Sequence, residues 1–300
     1  MNKFPKINTF YILAAIFVLA LILRFLYYPN NIYFGYDQAR DGFAAQDILK
    51  GDLKLVGPTT TFTGLNHGVL FWYLLAPFYF LGQGNPEIAS VFLRIFNALG
   101  VFFIFYFSKI LFGKRAAFLA AAFFAISFEQ TQFSIYMGNP ALGVLSVMLM
   151  YLGLALAIFQ KKTLGLPLAF LGLGVSIQFQ FALFYLIVPM ILIMVVFRKT
   201  FFKLPLKTWL LSVLTLFIFL STFILVEFKY NFRSLHAILH LTQQVSDKSF
   251  GNISNTYFYT ISKMISFNFT GDLIPNLIIL ILLLISFLKF LRDKRWRNQL

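Results

Sequence analysis

Gly68-Val-Leu-Phe-Trp72-Tyr-Leu-Leu-Ala-Pro77-Phe-Tyr-Phe-Leu81 is an apolar run of fourteen residues interrupted by a proline. Its reading decides the topology of everything around it. Crossing a hydrocarbon core of roughly 30 Å takes about twenty apolar residues. Runs of suitable length occur at 10–28, 88–112, 116–135, 141–160, 164–180, 181–198, 209–227 and 273–291. Counted as a ninth span, Gly68–Leu81 would put Lys114/Arg115 and Lys161/Lys162 across the membrane from Lys3/Lys6. Counted as a short re-entrant or interfacial helix, it leaves every basic cluster on one face. The expected fold is an all-α polytopic membrane protein of about 8 transmembrane helices, with further juxtamembrane helices on the outer face.

Composition supports that class. A chain of 300 residues that is 60% hydrophobic and 12% charged is not a soluble domain. The net charge of +15 comes largely from clusters at the ends of apolar runs, including Arg198/Lys199/Lys203/Lys207 and Arg292/Lys294/Arg295/Arg297. By the positive-inside rule this face is cytoplasmic, with both termini, and the charge is no nucleic-acid surface. Lys3 and Lys6 precede an apolar run too long for a signal h-region and without a small-residue cleavage site. The absence of cysteine excludes disulfides, thiol catalysis and thiolate metal sites. The chain reads as one membrane domain over 1–300, multi-pass and at home in the plasma membrane. A first outer loop runs over 29–87, and a long one over 228–272. In the latter, Asn231–Val245 carries apolar residues at helical spacing and predicts a helix lying on the membrane surface.

The first outer loop holds Phe34-Gly-Tyr-Asp37-Gln-Ala-Arg40-Asp41-Gly-Phe-Ala-Ala-Gln-Asp47-Ile-Leu-Lys50-Gly-Asp52, four of the chain's ten acidic residues. Carboxylates beside a bilayer are costly unless paired, solvated or used. A helix from about Gln38 to Lys50, stopped at Gly51, brings Asp37, Arg40 and Asp41 into one turn. Spacing alone leaves two readings open: Asp37 as an N-cap on a wet helix, or Asp37 as a general base tuned by its neighbours.

The wider series is specific. Asp37-Gln38 and its helix are followed by Asn66-His67-Gly-Val-Leu-Phe-Trp-Tyr-Leu-Leu, by Leu93-Arg94-Ile-Phe-Asn-Ala-Leu, and by Leu111-Phe-Gly-Lys-Arg-Ala-Ala. In that order, over the first 160 residues, the chain resembles the GT-C membrane glycosyltransferases. The likeness is to family 39 and its relatives, which include protein O-mannosyltransferases and lipid A aminoarabinose transferases. The resemblance implies inverting transfer of a sugar from a polyprenyl-phosphate donor, on the outer face, to a lipid, glycan or protein acceptor. It makes Asp37 the catalytic base, with Asp41 beside it. The leaving phosphate needs cationic help, for which Arg94, His67 and Arg40 are the candidates. Tyr36, Glu129 and Gln132 are candidate supporting residues. Phe71-Trp72-Tyr73 is expected to line a groove for the lipid tail.

Arg94 sits inside an apolar run and needs a partner, either Glu87 or a substrate phosphate. Arg24 is expected to snorkel, and Asp47 and Asp52 to keep the helix end wet. His236 and His240 are four apart but lack the Glu of a zinc motif. Asn252-Ile-Ser and Asn268-Phe-Thr are chance-prone sequons. The second residue of the family's Asp-Glu pair is Gln38 here. At the turn where some relatives carry metal-binding acids, Asn139 stands instead, a poor ligand for a hard divalent ion. No metal or other cofactor is therefore expected. The chain is shorter than many relatives, as a minimal or truncated form would be. Two other classes compete: a transporter or flippase of lipid-linked sugars, against which no inverted repeat is found, and a noncatalytic membrane subunit.

Overall fold

The computed structural model describes residues 8–245, 255–257, 259–263, 278, 281–282 and 284–285. It is 78% helical, and among the described residues there is no strand, only isolated bridges pairing Tyr33 with Tyr136 and Thr59 with Asn66. The chain divides into two compact units, 1–233 and 234–300.

The first unit holds α1 (Thr9–Phe25), α2 (Tyr36–Leu49), α3 (Leu70–Leu81), α4 (Pro86–Ala98), α5 (Gly100–Phe112), α6 (Lys114–Ile126), α7 (Phe128–Ile135), α8 (Asn139–Phe159), α9 (Gly165–Phe179), a 3-10 turn (Phe181–Leu186), α10 (Ile187–Val196), α11 (Arg198–Phe201) and α12 (Leu206–Lys229). Local chemistry sets many of the starts. Asn8 accepts the Phe10 N–H at 3.1 Å, and Asn85, ahead of Pro86, accepts the Glu87 N–H at 2.8 Å.

Three described helical stretches are long and apolar enough to cross a membrane: Pro86–Phe112, Asn139–Phe159 and Leu206–Lys229. Thr9–Phe25, Leu70–Leu81, Gly165–Phe179 and Phe181–Val196 are shorter apolar helices. The twelve residues of α3 rise about 18 Å, well short of a full crossing. The expected continuous span 116–135 is corrected to two helices. Ser127 turns extended and its Oγ accepts the Gln130 N–H at 3.3 Å, so it caps a new helix instead of continuing the old one. The expected span 273–291 lies outside the described residues, save for helical positions at 278, 281–282 and 284–285.

Packing follows small residues. A Cβ built on Gly172 of α9 would lie 2.3 Å from the Met150 backbone nitrogen of α8. One on Gly153 would lie 2.4 Å from that of Ala169. These two helices touch backbone to backbone, as membrane helices do where glycine lines the contact. On the other flank α2 lies along α3, burying Ala44 and Ala45 against Trp72, Leu75 and Tyr79.

In the second unit, α13 (Arg233–Val245) occupies most of the stretch expected to be an interfacial helix, with Leu235 and Leu239 exposed. The His240 side chain, Asn252, Asn268 and the basic clusters Lys3/Lys6 and 292–297 lie outside the described residues.

Candidate functional site

The N-terminus of α2 is closed by its own third residue. Gln38 Oε1 accepts the Gly35 N–H at 2.9 Å, the return half of a capping box. The N-cap is Gly35, so the reading of Asp37 as the N-cap is corrected: Asp37 is the second helical residue, in the turn where the helix dipole favours an anion. Gln38, a departure from the family's acid, has a structural task.

From Asp37 a short chain of charge runs inward. Arg40 Nη1 donates to Asp37 Oδ1 at 2.8 Å, while its Nε and Nη2 donate to Asp41 Oδ1 at 3.0 and 2.9 Å. Trp72 Nε1–H of α3 donates to that same oxygen at 2.8 Å. The two carboxylates then part company. The Asp37 side chain is 56% exposed and that of Asp41 2%. Burial pushes the Asp41 carboxyl above its usual range, against the pull of Trp72 and Arg40. The next residue, Gly42, leaves no room for a side chain: a Cβ there would lie 2.6 Å from Tyr79 Oη.

Beside this group opens a cleft of about 570 Å³, lined by Tyr36, Ala39, Arg40, Phe43, Ala44, Asp47, Lys54, Val56 and Trp72. Lys54 Nζ bonds Asp47 at 3.2 Å and also Asp52, and these partners raise its pKa despite some desolvation. Asp47 and Asp52, expected only to solvate the helix end, instead anchor the lysine that forms the far wall. Tyr73 Oη–H donates to the Lys54 carbonyl at 2.9 Å, which ties the wall to α3.

His67 enters from the loop before α3. Its Nδ1 accepts the Phe181 N–H at 3.0 Å, so the ring proton belongs on Nε2. Burial, followed by the charge of Arg40, lowers its pKa to about 4, so the ring is neutral at ordinary pH. The loop is held to the end of α9 at two more points. Gly68 N–H donates to the Gln178 carbonyl at 2.9 Å, and Leu70 N–H to Gln178 Oε1 at 3.3 Å. Gln178, unmarked in the sequence, locates this loop.

Arg94 is elsewhere engaged. It is fully buried, and its Nε donates to Ser90 Oγ at 3.1 Å, Nη2 to Asn31 Oδ1 at 2.9 Å and Nη1 to the Arg24 carbonyl. Phe25 and Tyr28 lie against its guanidinium, with ring centroids 5.7 and 5.1 Å away. The partner expected to be Glu87 or a phosphate is thus the end of α1 and the turn after it. Arg24, expected to snorkel, is also fully buried. Its Nε donates to Asn97 Oδ1 at 2.7 Å, Nη1 to the Ala125 carbonyl at 3.1 Å and Nη2 to that of Phe124 at 3.4 Å. Those carbonyls are orphaned because the helix breaks at Ser127. Each arginine caps a helix C-terminus, where partial negative charge collects. Among the described residues neither has a carboxylate within ion-pair distance.

Glu129 is half-buried and Gln132 exposed, both on α7. The structure brings together Tyr36, Asp37, Arg40 and Asp41, with His67 within reach of Arg40's charge; Arg94 belongs to another network. Asn139 donates its Nδ2–H to the Phe179 carbonyl at 2.6 Å, capping α9.

The family model for dolichyl-phosphate-mannose-protein mannosyltransferase matches residues 66–225, a stretch that takes in His67 and Arg94 and begins after the Asp37 segment. Among curated proteins and among solved structures nothing matches.

Proposed function

From the premise that the chain belongs to the dolichyl-phosphate-mannose-protein mannosyltransferase family, integral-membrane glycosyltransferases that use polyprenyl-phosphate sugar donors, we propose that it transfers a sugar with inversion to an acceptor hydroxyl and that Asp37 is the base. In this reading the chain crosses the plasma membrane eight times with both termini cytoplasmic, and α2 lies on the outer face.

One contrast carries the assignment. Of two carboxylates four residues apart, Asp37 is open to an incoming acceptor and Asp41 is closed. Asp37 takes the acceptor O–H proton as that oxygen bonds to the anomeric carbon. The bond from that carbon to the phosphate oxygen breaks, and polyprenyl phosphate leaves with the electron pair. Arg40, held by Asp41, orients Asp37. His67, neutral and protonated at Nε2, donates a hydrogen bond to the leaving phosphate. Arg94, first expected at that phosphate, is placed here as a clamp. The step as written needs no divalent ion, so an EDTA-washed preparation keeps its activity.

The test uses the full chain in nanodiscs with radiolabelled polyprenyl-phosphate hexose. Asp37→Asn lowers transfer by about 10²–10⁴-fold with an unchanged melting temperature. Undiminished transfer by that variant removes Asp37 as base, and no donor turnover with any acceptor removes the transferase reading.

A further inference from the structure

The cleft beside Asp37 has walls and charges that suit a narrow class of ligand. Tyr36 and Phe43 present aromatic faces that are 84% and 68% exposed, and Trp72 lies behind them. Ala39, Ala44 and Val56 keep the floor apolar, and the polar groups on the lining are Arg40, Asp47, Lys54 and the Tyr36 hydroxyl. A volume of about 570 Å³ lies within the usual range of small-ligand sites.

The ion pairs decide what that ligand is. Both cations on the lining are already bridged by two carboxylates each, Arg40 by Asp37 and Asp41, Lys54 by Asp47 and Asp52. Of these acids only Asp47 is on the lining itself; Asp37, Asp41 and Asp52 hold the two cations from beside it. A phosphate entering here would find both lining cations already paired and would have to strip a carboxylate from one of them, so the site selects against it. A polyprenyl tail would meet a charged rim. A neutral polyol meets neither penalty: its C–H faces cover the open aromatic rings, and its hydroxyls bond Asp47 and Lys54 at the edge.

We infer that this cleft is the acceptor subsite and that the acceptor presents a neutral saccharide, one ring packed on Tyr36 and Phe43 and a hydroxyl turned to Asp37. This rests on the transferase reading for its meaning, but binding can be measured apart from chemistry.

The experiment uses full-chain protein in nanodiscs carrying Asp37→Asn, so that no turnover intervenes, and saturation-transfer NMR. The probes are a pool of methyl α- and β-hexopyranosides, glucose 6-phosphate, and a Ser/Thr peptide. The neutral pool receives saturation, strongest on ring C–H protons, and glucose 6-phosphate and the peptide do not. Adding Phe43→Ala weakens pool binding about three- to tenfold, and Phe43→Tyr restores it. No signal from the pool, an equal signal from the phosphate or the peptide, or a pool signal indifferent to Phe43→Ala each overturns the inference. The last outcome would leave Phe43 as a headgroup anchor. Loss of donor turnover in the parent protein would sink the transferase reading and leave this binding result standing.

Discussion

Trp72 Nε1 lies 2.8 Å from Asp41 Oδ1, a hydrogen bond from the short apolar helix α3 to a buried carboxylate on α2. It joins the two elements that make the candidate site. It also fixes the far end of the Asp41–Arg40–Asp37 chain, so a change at Trp72 is felt at Asp37.

Trp72→Phe keeps an aromatic ring but removes that donor. Hydrogen bonds to charged groups contribute about 1.5–3 kcal/mol, and part of this is retained because Arg40 still holds Asp41. The variant is expected to melt several degrees lower and to lose kcat more than donor affinity. Asp41→Asn behaves similarly, whereas Asp37→Asn loses kcat alone. Melting curves beside steady-state rates separate the cases, and equal melting of Asp41→Asn and parent would refute the positioning role.

The two buried arginines are predicted to act on stability. Arg24→Met strands the Phe124 and Ala125 carbonyls and Asn97 Oδ1. Each buried acceptor left without a donor costs about 1–3 kcal/mol, enough to abolish the monodisperse folded protein in detergent. Arg94→Lys keeps a charge but loses the planar fork that reaches Ser90, Asn31 and Arg24 at once. It lowers the melting temperature at saturating donor. A raised donor KM with unchanged melting would instead return Arg94 to the phosphate.

His67 gives a pH signature. Its pKa is 6.5 ordinarily and about 4 in the fold, so between these values the unfolded chain takes up a proton that the folded chain refuses. Its contribution to stability is complete above pH 6.5, is lost as pH falls toward about 4, and is constant below. Asp41, raised by burial, works the opposite way, because its contribution is lost as pH rises through its folded value. The informative quantity is therefore the difference from His67→Asn, whose side-chain oxygen can replace Nδ1 as acceptor for Phe181 N–H. Melting temperature from pH 4 to 7 should fall less steeply on acidification in the variant. Parallel curves would show that His67 is not held neutral.

Gly172→Ala tests the α8–α9 contact. The new methyl would sit 2.3 Å from the Met150 nitrogen and 2.7 Å from the Ser146 carbonyl oxygen. Backbone cannot swing aside as a side chain does, so the helices must part. A loss of about 1–3 kcal/mol or more is expected from such overpacking, read by melting in detergent. An unchanged melting temperature would mean that the two helices lie farther apart.

The site was unevenly legible in the sequence. Asp37, Arg40 and Asp41 are legible because a helical repeat puts residues three and four apart together whatever else the chain does. Lys54 is not legible in the sequence, because its partners Asp47 and Asp52 gain meaning only when the chain after Gly51 folds back. In the sequence Arg94 points to a phosphate because a cation in an apolar run has no visible partner, whereas in the fold it bonds a main-chain carbonyl and an amide some seventy and sixty-three residues earlier.

What the sequence determined by itself was whatever composition, period and order carry: a helical membrane protein, its principal apolar stretches, the acidic helix outside them and the family likeness, whose series starts at Asp37-Gln38 and which the family model matches from residue 66 onward. Tertiary structure decided which of two equivalent carboxylates is buried, where the arginines spend their donors, and what holds His67. These depend on groups 31 to 114 residues apart meeting at hydrogen-bond distance. Helix periodicity is a property of neighbours along the chain. Burial and hydrogen-bond partners belong to the packed chain, and at this site they separate the exposed carboxylate, Asp37, from the buried one, Asp41.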